Sequence, residues 1–372
     1  MKQPRSTIRS PYMEWAKLCS AARYNLATSG VASYALAELG VNIQDLEING
    51  PTVYGYEPLQ ERLARKNRVQ PECVVAAAGT SMANHLAMAA CFEPGDEVLV
   101  EQPTYELLLS TARFLGAKIR RFRRRFEDDF CIDPQEVEKR ITPRTRLIVI
   151  TNLHNPSGAL TDEATLAAIG EIALRCGARV LVDEVYLEAM FAAPARSAFH
   201  LGKQFVSTNS LTKAYGLSGL RCGWILAEPE LAERMWRLND VFAATAVHPG
   251  ELLSVAALDH LEQIAARAKN ILDANRRALN TFLDSTRKLR CFRPAFGTVF
   301  FPQLRRGDVE EFCGLLREKY ETSVVPGKFF EMPRHFRIGL GGDTEMTAEG
   351  LRRLGCALDE YTKGYPRGTH LG

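Results

Sequence analysis

A chain of 372 residues with 46% hydrophobic and 24% charged residues has an ordinary globular balance, which excludes a disordered or collagen-like polymer. Its formal net charge of +3 supplies no global field toward nucleic acid or a membrane surface. Nine scattered cysteines with no CxxC pair fit reduced thiols in a cytoplasmic protein, not a disulfide frame or a zinc site.

In chain order, the first 45 residues do not fit the repeat that follows, and they carry no uninterrupted apolar core of a leader or spanning helix. From about residue 50 to 245, short apolar runs alternate with amphipathic helical patterns. "CVVAAAG" precedes "SMANHLAMAACF", "DEVLVEQ" precedes "YELLLSTARFLG", and "RLIVITN" precedes "EATLAAIGEIALRCG". "ARVLVDE", "QFVSTNS" and "CGWILAE" continue the series. Continuous apolar strands of this kind predict a mostly parallel sheet with both faces covered.

The basic run "KIRRFRRRFEDDF" reads as a solvated edge strand whose charges block edge pairing. A long helix is predicted over "VHPGELLSVAALDHLEQIAARAKNILDANRRALNTFLDST". Beyond it, "FRPAFGTVFFPQL" reads as a hairpin, and "DVEEFCGLLREKY", "TSVVPGKFF" and "HFRIGLGG" complete a smaller α+β unit. The expected fold is α/β, divided into an N-terminal arm and part of a small domain over 1–45, a large domain over 46–280, and a C-terminal small domain over 281–372.

In an open parallel sheet, chemistry collects past the carboxyl ends of the strands. Lys213 lies just after "QFVSTNS", with Ser210 three residues before it and Arg221 eight after. A lysine attacks an aldehyde only as the free amine, so burial or neighbouring positive charge favours that role; singly, a lysine is a solvated surface charge. Asp183 ends "RVLVD" and Tyr186 follows; a carboxylate there suits either a helix cap or a protonated ring nitrogen. Asn155 sits on a Pro-Ser-Gly turn, which is ordinary punctuation or a fixed amide donor. Gly79, Thr80 and Ser81 open a helix after a strand, either as a plain cap or as an anion cup. Tyr105 follows a strand and suits core packing or ring stacking, and Arg337 lies between apolar neighbours and requires a carboxylate. The histidines show no metal-ligand spacing, so no metal is expected.

Taken together and in this order, these motifs resemble the class I/II aminotransferases, the aspartate aminotransferase-like group of fold-type I pyridoxal phosphate enzymes. The resemblance runs from "NLATSGV" to "FRIGLGG". It implies pyridoxal 5′-phosphate as cofactor, with Lys213 as the imine-forming lysine and proton shuttle, and Asp183 and Tyr186 beside it in catalysis. Ser210, Arg221, Gly79, Thr80 and Ser81 would hold the phosphate. Asp183 would pair with the ring nitrogen, Asn155 and Tyr186 with the phenolate oxygen, and Tyr105 would stack on the ring. Arg337, with Asn155 and the backbone of Gly30, would take the α-carboxylate. A tyrosine from the second subunit of a homodimer, Tyr54 or Tyr56 with Tyr54 favoured, would reach the phosphate, and Tyr12 and Trp15 suit a dimer contact.

The implied substrates are an L-α-amino acid and a 2-oxo acid, with no second arginine to read a side-chain carboxylate and no nucleic acid or membrane partner. The same kit serves C–S β-elimination, decarboxylation or cyclisation, because the electron sink is shared. Two other readings are weaker: a non-catalytic pyridoxal phosphate sensor lacks room for a DNA-reading module, and a dinucleotide oxidoreductase lacks its glycine fingerprint.

Overall fold

The computed structural model describes residues 9–363; residues 1–8 and 364–372 of the expected terminal segments lie outside the described residues. The chain begins with α1 (Pro11–Leu18), β1 (Tyr24–Asn25) and α2 (Glu57–Asn67). There follow β2 (Val74–Ala78), α3 (Gly79–Cys91), β3 (Glu97–Gln102), α4 (Glu106–Phe114), β4 (Lys118–Arg123), α5 (Pro134–Arg140), β5 (Thr145–Thr151), α6 (Glu163–Arg175), β6 (Arg179–Asp183), β7 (Phe205–Ser210) and β8 (Cys222–Leu226). Then come α7 (Pro229–Asn239), α8 (His248–Asp259), α9 (Leu261–Ser285), β9 (Leu289–Arg290), β10 (Val299–Phe300), β11 (Gln303–Leu304), α10 (Val309–Tyr320), β12 (Thr322–Ser323), β13 (Val325–Pro326), β14 (Phe336–Gly339) and α11 (Thr344–Lys363).

The large sheet has seven strands in the order β2-β8-β7-β6-β5-β3-β4. Strand β8 runs antiparallel to both β2 and β7, while the other pairings are parallel. The carboxyl ends of the remaining strands and the start of β8 therefore share one edge. Side chains alternate across the strands, as the pleat demands. Val98, Val100, Val149, Leu181 and Val206 pack under α3, α4 and α7. Leu99, Ile148, Ile150, Val180, Val182 and Phe205 pack under α5 and α6 on the other face. Burial on both faces explains why these strands read as unbroken apolar runs.

The small strands tie the chain ends together. Tyr24 and Asn25 of β1 pair in parallel with Thr322 and Ser323 of β12. The expected hairpin in "FRPAFGTVFFPQL" does not form: β10 pairs with β14 and β11 with β9. Pro302 separates the two segments and has no N–H for a hairpin ladder, and its carbonyl accepts from Phe336 N at 3.1 Å. The predicted long helix is also interrupted. At His260 (φ −107°, ψ 18°) the chain leaves helical values, so that α8 packs on α2 and β8 while α9 packs on α11. The basic run does form the outer strand β4, but the next residue, Arg124, turns inward and is buried against Glu101 at 2.8 Å.

Candidate active site

Nine of the residues expected in the site line one cavity of about 330 Å³ at the shared strand edge. Thr80 and Ser81 enter from α3, Tyr105 from the start of α4, and Asn155 from the loop after β5. Asp183 and Tyr186 come from the end of β6 and the turn after it, while Ser210, Lys213 and Arg221 span the link between β7 and β8. A larger cavity of about 530 Å³ shares only Arg221 with it and has Tyr54 and Tyr56 in its wall. The smaller one has both the Lys213 amine and the Asp183 carboxylate in its lining.

Lys213 Nζ donates to Ser29 Oγ at 2.9 Å. Burial, with Arg337 and Arg221 adding positive charge against the opposing pull of Asp183, lowers its amine to about 8. A fraction of the amine is therefore neutral near physiological pH, as an attacking amine requires. Asp183 is 4% exposed at the end of β6. Burial raises its carboxyl to about 6, against the pull of hydrogen bonds from Asn84 and the Val185 N–H and the charge of Lys213. A costly carboxylate at this position needs a cationic partner.

The anion cup is built from small residues and free donors. A Cβ on Gly79 (φ +76°) would stand 2.3 Å from Arg221 Nη2, and one on Gly223 would stand 2.4 Å from the Gly79 carbonyl carbon. Only glycine permits this approach of α3 to β8. No side chain caps α3, so its first N–H groups remain open to an anion. Thr80 Oγ1 donates to Ser210 Oγ at 2.8 Å, joining the two hydroxyl-bearing segments. Arg221 spends Nη2 on the Ala78 carbonyl at 3.0 Å and holds its head at this rim.

At the opposite wall, Asn155 is anchored through its backbone N–H to Thr151 Oγ1 at 2.9 Å. Thr151 is in turn held by the buried Glu101–Arg124 pair, which gives the inward turn of Arg124 a positioning consequence. Arg337 donates from Nη1 to Asn155 Oδ1 at 2.9 Å, which leaves the Asn155 N–H groups for other acceptors. Arg337 itself is fully buried, with its Nε unpartnered and no carboxylate bonded to it among the described residues. Such a guanidinium calls for an incoming anion. Tyr186 is buried, and burial raises its hydroxyl to about 12, so it stays protonated. Gly30 lies beside Lys213, where a Cβ would approach Thr212 O to 3.4 Å.

Three site residues escaped the sequence reading: Ser29, Asn84 and Tyr12. Tyr12, expected at an exposed contact, is 7% exposed inside its own chain. Its hydroxyl accepts from Arg337 Nη2 at 2.9 Å, and its ring meets Tyr105 edge-on at 5.6 Å. The signal was present in "SPYMEW": Ser10 accepts from Met13 N and Pro11 opens α1, so the helix start fixes where Tyr12 points.

A carboxylate for a ring nitrogen, a lysine for an aldehyde, amide and phenol donors for a phenolate, and an open anion cup together fit pyridoxal 5′-phosphate. Fold and donor set thus define the class: an α/β enzyme built around that cofactor. Comparison with known proteins agrees. The chain is similar to capreomycidine synthase from Streptomyces vinaceus, 29% identical over 98% of both chains. It is similar to an arginine–pyruvate transaminase from Pseudomonas aeruginosa, 29% identical over 82% of both. A pyridoxal phosphate-dependent aminotransferase structure from Streptococcus suis superposes with a TM-score of 0.89 at 27% identity, covering 99% of this chain and 100% of that one. The chain belongs to the class I and II aminotransferase family, whose model matches residues 24–354. It is a pyridoxal phosphate-dependent aminotransferase acting on amino and oxo acids.

Proposed function

We propose that the enzyme moves the amino group of a non-dicarboxylic L-α-amino acid to a 2-oxo acid, with Lys213, Asp183, Tyr186, Asn155 and Arg337 in the roles their chemistry suits. The observation that carries this reading is the pair facing one cavity: an amine made acidic by burial and a carboxylate made costly by it. When bound, pyridoxal phosphate supplies an aldehyde that condenses with amines and a cationic ring that takes up the electrons left as the substrate Cα–H bond breaks. Asp183 holds the proton on the ring nitrogen. The Lys213 amine would take and hold the proton from the substrate Cα. Asn155 and Tyr186 donate to the phenolate oxygen. Thr80, Ser81, Ser210 and Arg221, with the backbone at Gly79, would hold the phosphate, and Tyr105 would stack on the ring.

Arg337 takes the α-carboxylate, with Tyr12 as the group it releases or shares. Arg337→Gln is expected to raise KM for the amino acid about 100-fold, the loss of one bidentate charged contact, with cofactor retention unchanged. An unchanged KM in steady-state assays would remove Arg337 from this role. Arg337 sits behind the lining residues Asn155 and Tyr12, to which it is bonded, and does not itself line the cavity; the outer wall, Met13, Trp15 and Ala16 of α1, is largely apolar, and the cations in the lining among the described residues are Lys213 and Arg221. Nothing there reads a second carboxylate.

A homodimer completes the site. Tyr54 is 48% exposed and bonds Asp240 at 2.8 Å, away from the smaller cavity of its own chain. Ile48, Val53, Val241, Phe242 and Val247 expose apolar surface beside it, a face suited to a two-fold partner. In that arrangement Tyr54 crosses to the partner's phosphate. Light scattering is expected to give a dimer, and Tyr54→Phe to weaken pyridoxal phosphate binding about tenfold, one hydrogen bond to a charged group. Equal affinity would reassign the contact. Nine free cysteines among the described residues suit a reducing cytoplasm, and no helix there is long and apolar enough to cross a membrane.

A second reading, cyclisation, is favoured by one observation: a structure described as a pyridoxal phosphate-dependent cyclase superposes with a TM-score of 0.87 at 26% identity, covering 97% of this chain and 99% of that one. Single amino acids, incubated without an acceptor, separate the two. Transamination releases one 2-oxo acid per site and then halts until an oxo acid is added. Elimination or cyclisation turns over continuously without one, and that result would displace the first reading.

A further inference from the structure

Asp183 is gripped by a side chain that the functional reading leaves without a task. Asn84, on the second turn of α3 and 4% exposed, donates from Nδ2 to Asp183 Oδ2 at 2.7 Å. Thr208, fully buried on β7, donates from Oγ1 to Asn84 Oδ1 at 2.6 Å. The direction of this chain of bonds is fixed by its ends. An ionised carboxylate only accepts, so Asn84 turns its N–H toward Asp183; its oxygen then faces Thr208, whose hydroxyl must donate. The other carboxylate oxygen, Oδ1, accepts from Val185 N at 3.1 Å. Each oxygen holds one donor and keeps further acceptor capacity toward the cavity, which Asn84 also lines.

Helix packing does not ask for an amide here. Ala83, Leu86, Ala87 and Met88 around Asn84 are buried and apolar, so an amide among them is costly unless both its polar ends are met. Both ends are met, by groups on two different strands.

We infer that Asn84 is a positioning residue: locked by Thr208, it holds the Asp183 carboxylate ionised and aimed into the cavity where the cofactor's ring nitrogen lies. This rests on the proposed pairing of Asp183 with that nitrogen. The groups facing Asp183 are Lys213 from the link after β7, Tyr186 from the turn after β6, Tyr105 from the start of α4, and the Asn84 amide from α3. Lys213 favours the ionised form, and among the hydrogen bonds Asn84 does most to offset burial.

The test uses full-length Asn84→Leu and Thr208→Val proteins with carbon-13-labelled aspartate, together with the dissociation constant of pyridoxal phosphate. In the cofactor-free chain, Asn84→Leu is expected to move the Asp183 carboxyl midpoint up by about one pH unit and to weaken cofactor binding about tenfold, with Thr208→Val moving both less in the same direction. A merely structural Asn84 would lower the unfolding temperature and leave the carboxyl midpoint and the dissociation constant unmoved, and that result overturns the inference. Should Asn84→Leu not fold, Thr208→Val decides by the same two readouts. Asp183→Ala is the control. If it binds the cofactor as tightly as the parent, the ring-nitrogen pairing fails and the role of Asn84 falls with it. If it binds weakly while Asn84→Leu leaves the carboxyl midpoint in place, only the role of Asn84 is lost.

Discussion

Lys213→Ala is expected to lower kcat by about 10⁴-fold or more, because it removes both the amine that captures the cofactor and the base that moves the Cα proton. The fold should persist, since Lys213 Nζ makes one side-chain bond, to Ser29, and its backbone carbonyl still accepts from Val31 N at 2.8 Å. Circular dichroism and unfolding temperature would therefore stay near the parent's while single-turnover rates collapse. Undiminished turnover would be decisive against the assignment. The amine also has a pH signature. In the cofactor-free chain its reaction with an acylating reagent should reach half its maximum near pH 8, well below an ordinary lysine. The linkage sign follows: the folded chain binds fewer protons than the unfolded one between about pH 8 and 10.5, so this group adds stability as pH rises through that window.

Asp183→Asn is the second large effect. An amide keeps the shape but cannot hold the ring nitrogen's proton, and it sets an N–H against the donors of Asn84 or Val185. Turnover should fall about 10³-fold, the cost of removing one main electrostatic group from a preorganised site. A loss of only a few-fold would mean that the nitrogen is not protonated by this residue.

The same carboxylate burdens the empty fold. Its folded value, about 6, lies above its ordinary 3.8, so the folded chain binds more protons between those values and loses stability as pH rises through them. Measured without cofactor, the difference in unfolding free energy between parent and Asp183→Asn should move in favour of the variant by about 2 kcal/mol from pH 4 to pH 6. A flat difference would mean that Asp183 is solvated as an ordinary surface carboxylate. A group that costs the fold and serves the chemistry is what a functional site is expected to contain.

What the sequence revealed and what it hid have physical causes. Strands such as "RLIVITN" and "ARVLVDE" were legible because burial on both faces leaves no polar alternation to confuse them. The strand-end residues were legible because a parallel sheet delivers them all to one edge. The two-residue strands were not: Val299–Phe300 finds its partner in Phe336–Gly339, and nothing local encodes that pairing. Asn84 looked like one polar residue in an apolar helix, since both its partners are about a hundred residues away. A faint signal existed in "QFVSTNS", where a fully buried strand carries Ser207, Thr208, Asn209 and Ser210, groups that must find partners. Arg124 hid inside a basic run because composition cannot say which arginine turns inward.

Reductive trapping tests the central claim most directly. The purified protein, loaded with pyridoxal phosphate, treated with borohydride and digested, should carry the label on the peptide containing Lys213 and lose its visible absorbance. A label on another lysine, or none with the absorbance unchanged, would contradict the assignment.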